Sequence, residues 1–157
     1  MGSPPPPPAI SEPVVYENTG GAAYVTLFLA QYIDKLQGVR YVNCGHLPAL
    51  LLRHDGTLER LDSTSTVLGL FEQWDCSIAE RQLSPGDILA LYSDAATELF
   101  NDRQEEFGQS RLAEALRRNG ELPSRAILQS VVGEIQEFSR YEQHDDITLV
   151  MAKCKIA

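Results

Sequence analysis

Basic residues are scarce in this chain of 157 residues: 13 Lys and Arg stand against 22 Asp and Glu, a net charge of −9. A nucleic-acid binder presents a basic face, and a protein docking on anionic lipid presents a basic cluster. Neither nucleic acid nor membrane is therefore an expected partner. An anionic ligand would need positive charge supplied locally. Long apolar runs are missing as well. The longest stretches, AYVTLFLA and LPALLL, fall far short of the roughly 20 residues that span a bilayer, and the start shows no secretory leader. Cysteine is sparse: Cys44, Cys76 and Cys154 are the only three, with no C-x-x-C spacing. An odd, scattered set argues against a disulfide framework and suits reduced thiols, which predicts a cytoplasmic protein.

Residues 1–22 differ from the rest. A proline run at positions 4–8 favours extended polyproline II over helix or sheet, and the segment reads as a Pro-rich linker or an expression-derived leader. Residues 23–157 are long enough for one packed domain. AYVTLFLAQYI and VRYVNCG predict strands joined by the turn DKLQG. PALLLRH and TLERLD flank His54-Asp55-Gly56, a strong hairpin signal. WDCSIAERQL predicts a further strand. SPGD predicts a turn, and ILALYSD a short strand buried on both faces. AATELFND predicts a short helix. SRLAEALRRNG predicts a helix stopped at Gly120. In SRAILQSVVGEIQEFSR, Ile127, Leu128, Val131, Val132, Ile135 and Phe138 recur at helical spacing. ITLVMAK is the last strand. Strands, a helical pair and a final strand give an α+β layout, helices packed on a mostly antiparallel sheet.

The chemistry concentrates in carboxylates. Asp145 and Asp146 stand side by side where the last strand begins, and adjacent like charges repel unless a cation joins them. Asp94 closes ILALYSD. If these strands are antiparallel neighbours, the three carboxylates meet at one sheet edge. Such a donor set suits a hard divalent ion, Mn²⁺ or Mg²⁺. Two blander readings stand beside this one. Asp94 could cap the following short helix, and the Asp pair could be solvated loop residues. Cys44 and His46 invite a thiol–base pairing, but their Asn/Gly/Pro-rich setting favours a tight turn with His46 bonded to backbone. An aspartate-nucleophile phosphatase is set aside, because His144 occupies the place of its first Asp.

Three segments in order, YVNCGHLPALLL, LSPGDILALYSDAATELFN and HDDITLVMA, with Phe107-Gly108 at a fitting interval, resemble the later part of the metal-dependent (PPM, protein phosphatase 2C-like) serine/threonine phosphatases. The bacterial SpoIIE-like branch is the nearest match. The resemblance implies part of an α-β-β-α sandwich, with residues 23–157 as the C-terminal portion of the domain. It implies hydrolysis of phosphoserine or phosphothreonine on a protein, an anti-sigma-factor antagonist in the bacterial branch, by water activated between two Mn²⁺ or Mg²⁺ ions. It implies metal ligands at Asp94 and Asp145, with Asp146 as their neighbour, and no protein nucleophile. Two departures matter. The family's earlier Asp-Gly-x-Gly-His-Gly motif is absent from these residues, so the chain reads as a fragment inactive alone, or as a non-catalytic phosphatase-like interaction module. The family's Ser-Asp-Gly is here Ser93-Asp94-Ala95, and Ala would be strained there if the site needs positive φ. Loss of the first half would also expose sheet edges, which predicts a homodimer.

Overall fold

The computed structural model describes residues 17–18, 23–71, 74–140 and 146–155. The proline run and Asp145 lie outside them. The chain divides into two compact units, one formed by residues 1–46 and 63–82, the other by residues 47–62 and 83–157.

The first unit holds a three-stranded antiparallel sheet of β1 (Leu27–Ile33), β2 (Gly38–Cys44) and β5 (Ala79–Gln82), in the order β1-β2-β5. The predicted turn after β1 is a single 3₁₀ turn, Asp34–Leu36, closed by left-handed Gln37, whose N–H donates to Asp34 O at 3.0 Å. Register runs from Leu27 opposite Cys44 to Ile33 opposite Gly38. Leu27, Leu29, Val42 and Cys44 share one face of the sheet and cluster with Leu68 and Trp74. β5 is shorter than its sequence predicts. Trp74 Nε1 donates to Thr66 O at 3.2 Å and Ser65 Oγ donates to Asp75 O. The first part of WDCSIAERQL is thereby committed to the 65–66 segment, and only Ala79–Gln82 pairs with β2.

Gly45 follows β2 at φ +69°, where a Cβ would run into Val67 Cγ1. Gly45→Ala is expected to destabilise the first unit by about 2 kcal/mol, the sum of a left-handed penalty and crowding. Urea unfolding read from the fluorescence of Trp74, the sole tryptophan, measures it; an unchanged midpoint would contradict the steric argument.

The second unit contains β3 (Ala49–Leu52), β4 (Leu58–Leu61), β6 (Ile88–Tyr92), α1 (Gly108–Asn119), α2 (Ser124–Phe138) and β7 (Leu149–Lys153). The strands form an antiparallel sheet ordered β4-β3-β6-β7. The Asp-Gly hairpin joins β3 to β4 as expected, with Gly56 at φ +86°. Leu50, Leu52, Ile88, Ala90 and Tyr92 form a core with Leu112 and Leu116 of α1 and Ile127, Val131 and Ile135 of α2. The spacing of the last three, four residues apart, brings them onto one helical face. Ala49, Leu51 and Leu89 alternate with these core residues and are buried too. The expectation that β6 is buried on both faces holds in part: Ile88, Ala90 and Tyr92 are buried on one face and Leu89 on the other, while Leu91 is half-buried.

AATELFND does not form the expected α-helix. A 3₁₀ turn, Asp94–Ala96, is all that appears. The carbonyls that would continue the helix are taken by returning chain: Phe107 N–H donates to Leu99 O (2.7 Å) and Gly108 N–H to Thr97 O (2.9 Å). Asn101 Oδ1 accepts the N–H groups of Arg103 and Glu105, folding the connection between them. Phe107 then packs edge-on against Phe138 at 5.3 Å. No helix among the described residues is long and apolar enough to cross a membrane.

Candidate metal centre

β6 and β7 pair antiparallel from Ile88 opposite Lys153 to Tyr92 opposite Leu149. One more rung follows. Ser93 N–H donates to Thr148 O at 2.9 Å, and Thr148 N–H donates to Ser93 Oγ at 3.0 Å. The pairing thus carries the end of β6 alongside the lead into β7, with Asp94 one residue beyond the rung on one strand and Asp146 two residues before it on the other. The antiparallel neighbourhood that the carboxylate reading required is present. Asp145, the adjacent position, lies outside the described residues.

Asp94 opens the 3₁₀ turn. Its backbone carbonyl accepts from Thr97 and Glu98 N–H, both at 2.8 Å. Its Oδ1 accepts from Ala95 N–H at 2.8 Å. The side chain therefore bonds the next residue rather than capping an α-helix, which does not form. Among the described residues no donor reaches Oδ2. Asp94 and Asp146 are both exposed, where a solvated ion can reach them. Asp94 and Asp146, at neighbouring strand ends, carry oxygen donors of the kind a hard divalent ion takes. Among the described residues, however, no group of three or more His, Cys, Asp or Glu could hold a metal.

Ala95 sits inside the 3₁₀ turn, and among the described residues the non-glycine positions at positive φ are Gln37 and Gln104. The condition under which Ala would be strained in place of the family glycine is not met, because this turn does not use positive φ at Ala95.

Cys44 is fully buried. The turn beyond it is closed by Asn43, whose Oδ1 accepts the His46 backbone N–H at 2.9 Å. The carbonyl of buried Asn43 also accepts from Thr64 N–H (2.9 Å) and Ser65 N–H (3.1 Å), and its N–H donates to Thr64 Oγ1 at 3.0 Å. Asn two residues before a positive-φ Gly was the available signal for this role.

Sequence reasoning also missed Asp87, read only as a turn residue. It is buried at the start of β6. Its Oδ2 accepts from Arg53 Nη1 (2.8 Å) and Ser84 N–H (2.9 Å), and its Oδ1 from His54 N–H (2.9 Å). Its carbonyl accepts Cys154 N–H at 2.9 Å. Burial alone would raise the Asp87 pKa. The hydrogen bonds from Ser84, Arg53 and His54 outweigh it and hold the carboxyl below its ordinary value. This cluster ties β3, β6 and the end of β7 together, at the opposite end of the β6–β7 ladder from Asp94.

A sequence profile of the Stage II sporulation protein E (SpoIIE) family matches residues 12–155. Phosphoserine phosphatase RsbU of Bacillus subtilis is 26% identical over 150 residues, 91% of this chain and 43% of that protein. Among solved structures, the SiaA-PP2C domain of Pseudomonas aeruginosa superposes with a TM-score of 0.72 at 19% identity, over 84% of this chain and 52% of that one. The manganese-presoaked phosphatase domain of SpoIIE from Bacillus subtilis gives 0.64 at 18% identity, over 83% and 56%. Two antiparallel sheets and a helical pair thus define the α+β fold of PP2C-like phosphatases. Within that class, the chain belongs to the SpoIIE family. It spans less than half the length of the curated relatives it matches.

Proposed function

We propose that the domain to which these residues belong is a metal-dependent serine/threonine protein phosphatase using Mn²⁺ or Mg²⁺, and that its substrate is a phosphorylated protein of the anti-sigma-factor-antagonist kind. The observation that carries this reading is the β6–β7 ladder, which brings Asp94 and Asp146 to one sheet edge. When bound, divalent ions there would supply an acidified water and the positive charge that this acidic chain lacks for receiving a phosphate. The chain's own residues do the holding. Asp94 keeps Oδ1 on the Ala95 N–H and leaves Oδ2 for an ion. Asp145 and Asp146 add carboxylates from the facing strand. The missing Asp-Gly-x-Gly-His-Gly segment would complete the set, so the 157 residues alone are read as inactive. The cytoplasm is the proposed location, in keeping with the sparse thiols.

The test is phosphate release from a phosphoserine protein by the full-length parent. Turnover is expected with Mn²⁺, none after chelation with EDTA, and recovery on adding Mn²⁺ back. A parent that shows no metal-dependent turnover would overturn the assignment in favour of a non-catalytic interaction module.

Strand β1 carries no charge and no proline and has one hydrogen-bonded strand partner among the described residues. An edge of that kind is open to pairing, which supports the homodimer reading. Light scattering of this chain should give twice the monomer mass; a monomer at high concentration would contradict it.

A further inference from the structure

We infer that Ser93 is a positioning residue that fixes the strand start carrying Asp146 against the turn carrying Asp94; the inference rests on the metal-site reading above. In an antiparallel ladder a hydrogen-bonded pair exchanges two backbone bonds. At the last rung here only one is backbone to backbone, Ser93 N–H to Thr148 O at 2.9 Å. The reciprocal partner, Ser93 O, is already used. It accepts Ala96 N–H at 2.9 Å and so closes the 3₁₀ turn that begins at Asp94. The Ser93 hydroxyl takes its place and accepts Thr148 N–H at 3.0 Å.

One residue therefore serves both sides of the site. Its carbonyl shapes the turn that presents Asp94, and its Oγ holds the strand two residues after Asp146. Alanine at 93 would keep the turn bond but leave Thr148 N–H to water. The lead into β7 would then be tethered by one bond instead of two. Residues that hold a ligand in place act on metal affinity through the geometry they enforce, and their loss typically weakens binding by about tenfold or more.

The experiment uses the full-length parent, isotopically labelled, titrated with Mn²⁺ and followed by paramagnetic broadening of the amide signals around positions 94 and 146. Ser93→Ala should weaken the apparent Mn²⁺ affinity about tenfold and speed exchange of the Thr148 amide. Ser93→Thr, which keeps the hydroxyl oxygen, should restore both. Ile127→Val, which loosens the core of the same unit away from the site, should leave Mn²⁺ affinity unchanged. That control separates positioning from general stability. If wild type broadens at these positions and Ser93→Ala binds equally well, the positioning role is wrong and the metal reading stands. If wild type shows no broadening there, the metal reading fails and takes this role with it.

Discussion

Asp87→Ala is expected to destabilise the second unit by about 3–5 kcal/mol, the usual range for removing one partner of a buried ion pair. The side chain of Asp87 is inaccessible to solvent, and three donors converge on it: Arg53 Nη1 and the N–H groups of Ser84 and His54. Alanine would leave the two backbone donors without this acceptor and strip Arg53 of one of its two carboxylates, leaving Glu59 at 2.7 Å. Each orphaned donor carries a desolvation penalty that a surface ion pair would not. Helices α1 and α2 lie in this unit, so the helical circular dichroism signal during urea unfolding carries the loss. An unchanged midpoint would mean that the cluster contributes nothing net.

The same carboxyl sets an acid limb. Its folded pKa is depressed, so the stability it contributes is fully present above the ordinary Asp value of about 4 and is lost as pH falls through the folded value. Asp87→Asn should begin less stable at neutral pH and lose less on acidification. Parallel pH–stability curves for the two proteins would rule Asp87 out as the source.

Much of the fold was legible because local and tertiary demands agree. Asp55-Gly56 turns where the flanking apolar runs need a hairpin. Ile127, Val131 and Ile135 share a helical face because they are all wanted in one core. Where the two demands conflict, tertiary pairing wins. AATELF has helical propensity, yet the carbonyls of Thr97 and Leu99 are claimed by Gly108 and Phe107. The beginning of WDCSIAERQL is claimed by Thr66 and Ser65. The candidate site was legible only in part: sequence put Asp94 at one strand's end and Asp145 and Asp146 at another's start, and the β6–β7 pairing is what makes those strands neighbours. Asp87 and Asn43 escaped because a polar residue in a turn and one buried by partners distant in sequence look alike until those partners, Arg53 and Thr64, are brought to them. Whether Ala95 is strained could not be read from the sequence for a related reason. Only the turn's dihedral angles reveal that glycine is not required there.

The largest functional effect should come from Asp94→Asn in the full-length parent, with Mn²⁺ affinity and metal-dependent turnover both expected to fall by more than about 100-fold, beyond the upper range for losing a residue that merely supports a ligand. Asparagine is nearly isosteric and retains a carbonyl oxygen, so the bond from Ala95 N–H and the 3₁₀ turn, held by Thr97 and Glu98 N–H on the Asp94 carbonyl, should survive. What disappears is the negative charge at an exposed sheet edge. Helical circular dichroism and the unfolding midpoint of the second unit should therefore match wild type, which distinguishes lost ligation from lost structure. Asn substitutions at Asp145 and Asp146, made separately, would then assign the neighbouring pair: the true ligand should reproduce the Asp94→Asn loss, and the other position should show a weaker, charge-screened effect. A folded Asp94→Asn parent that keeps its Mn²⁺ affinity and its turnover would break the link between this sheet edge and the chemistry.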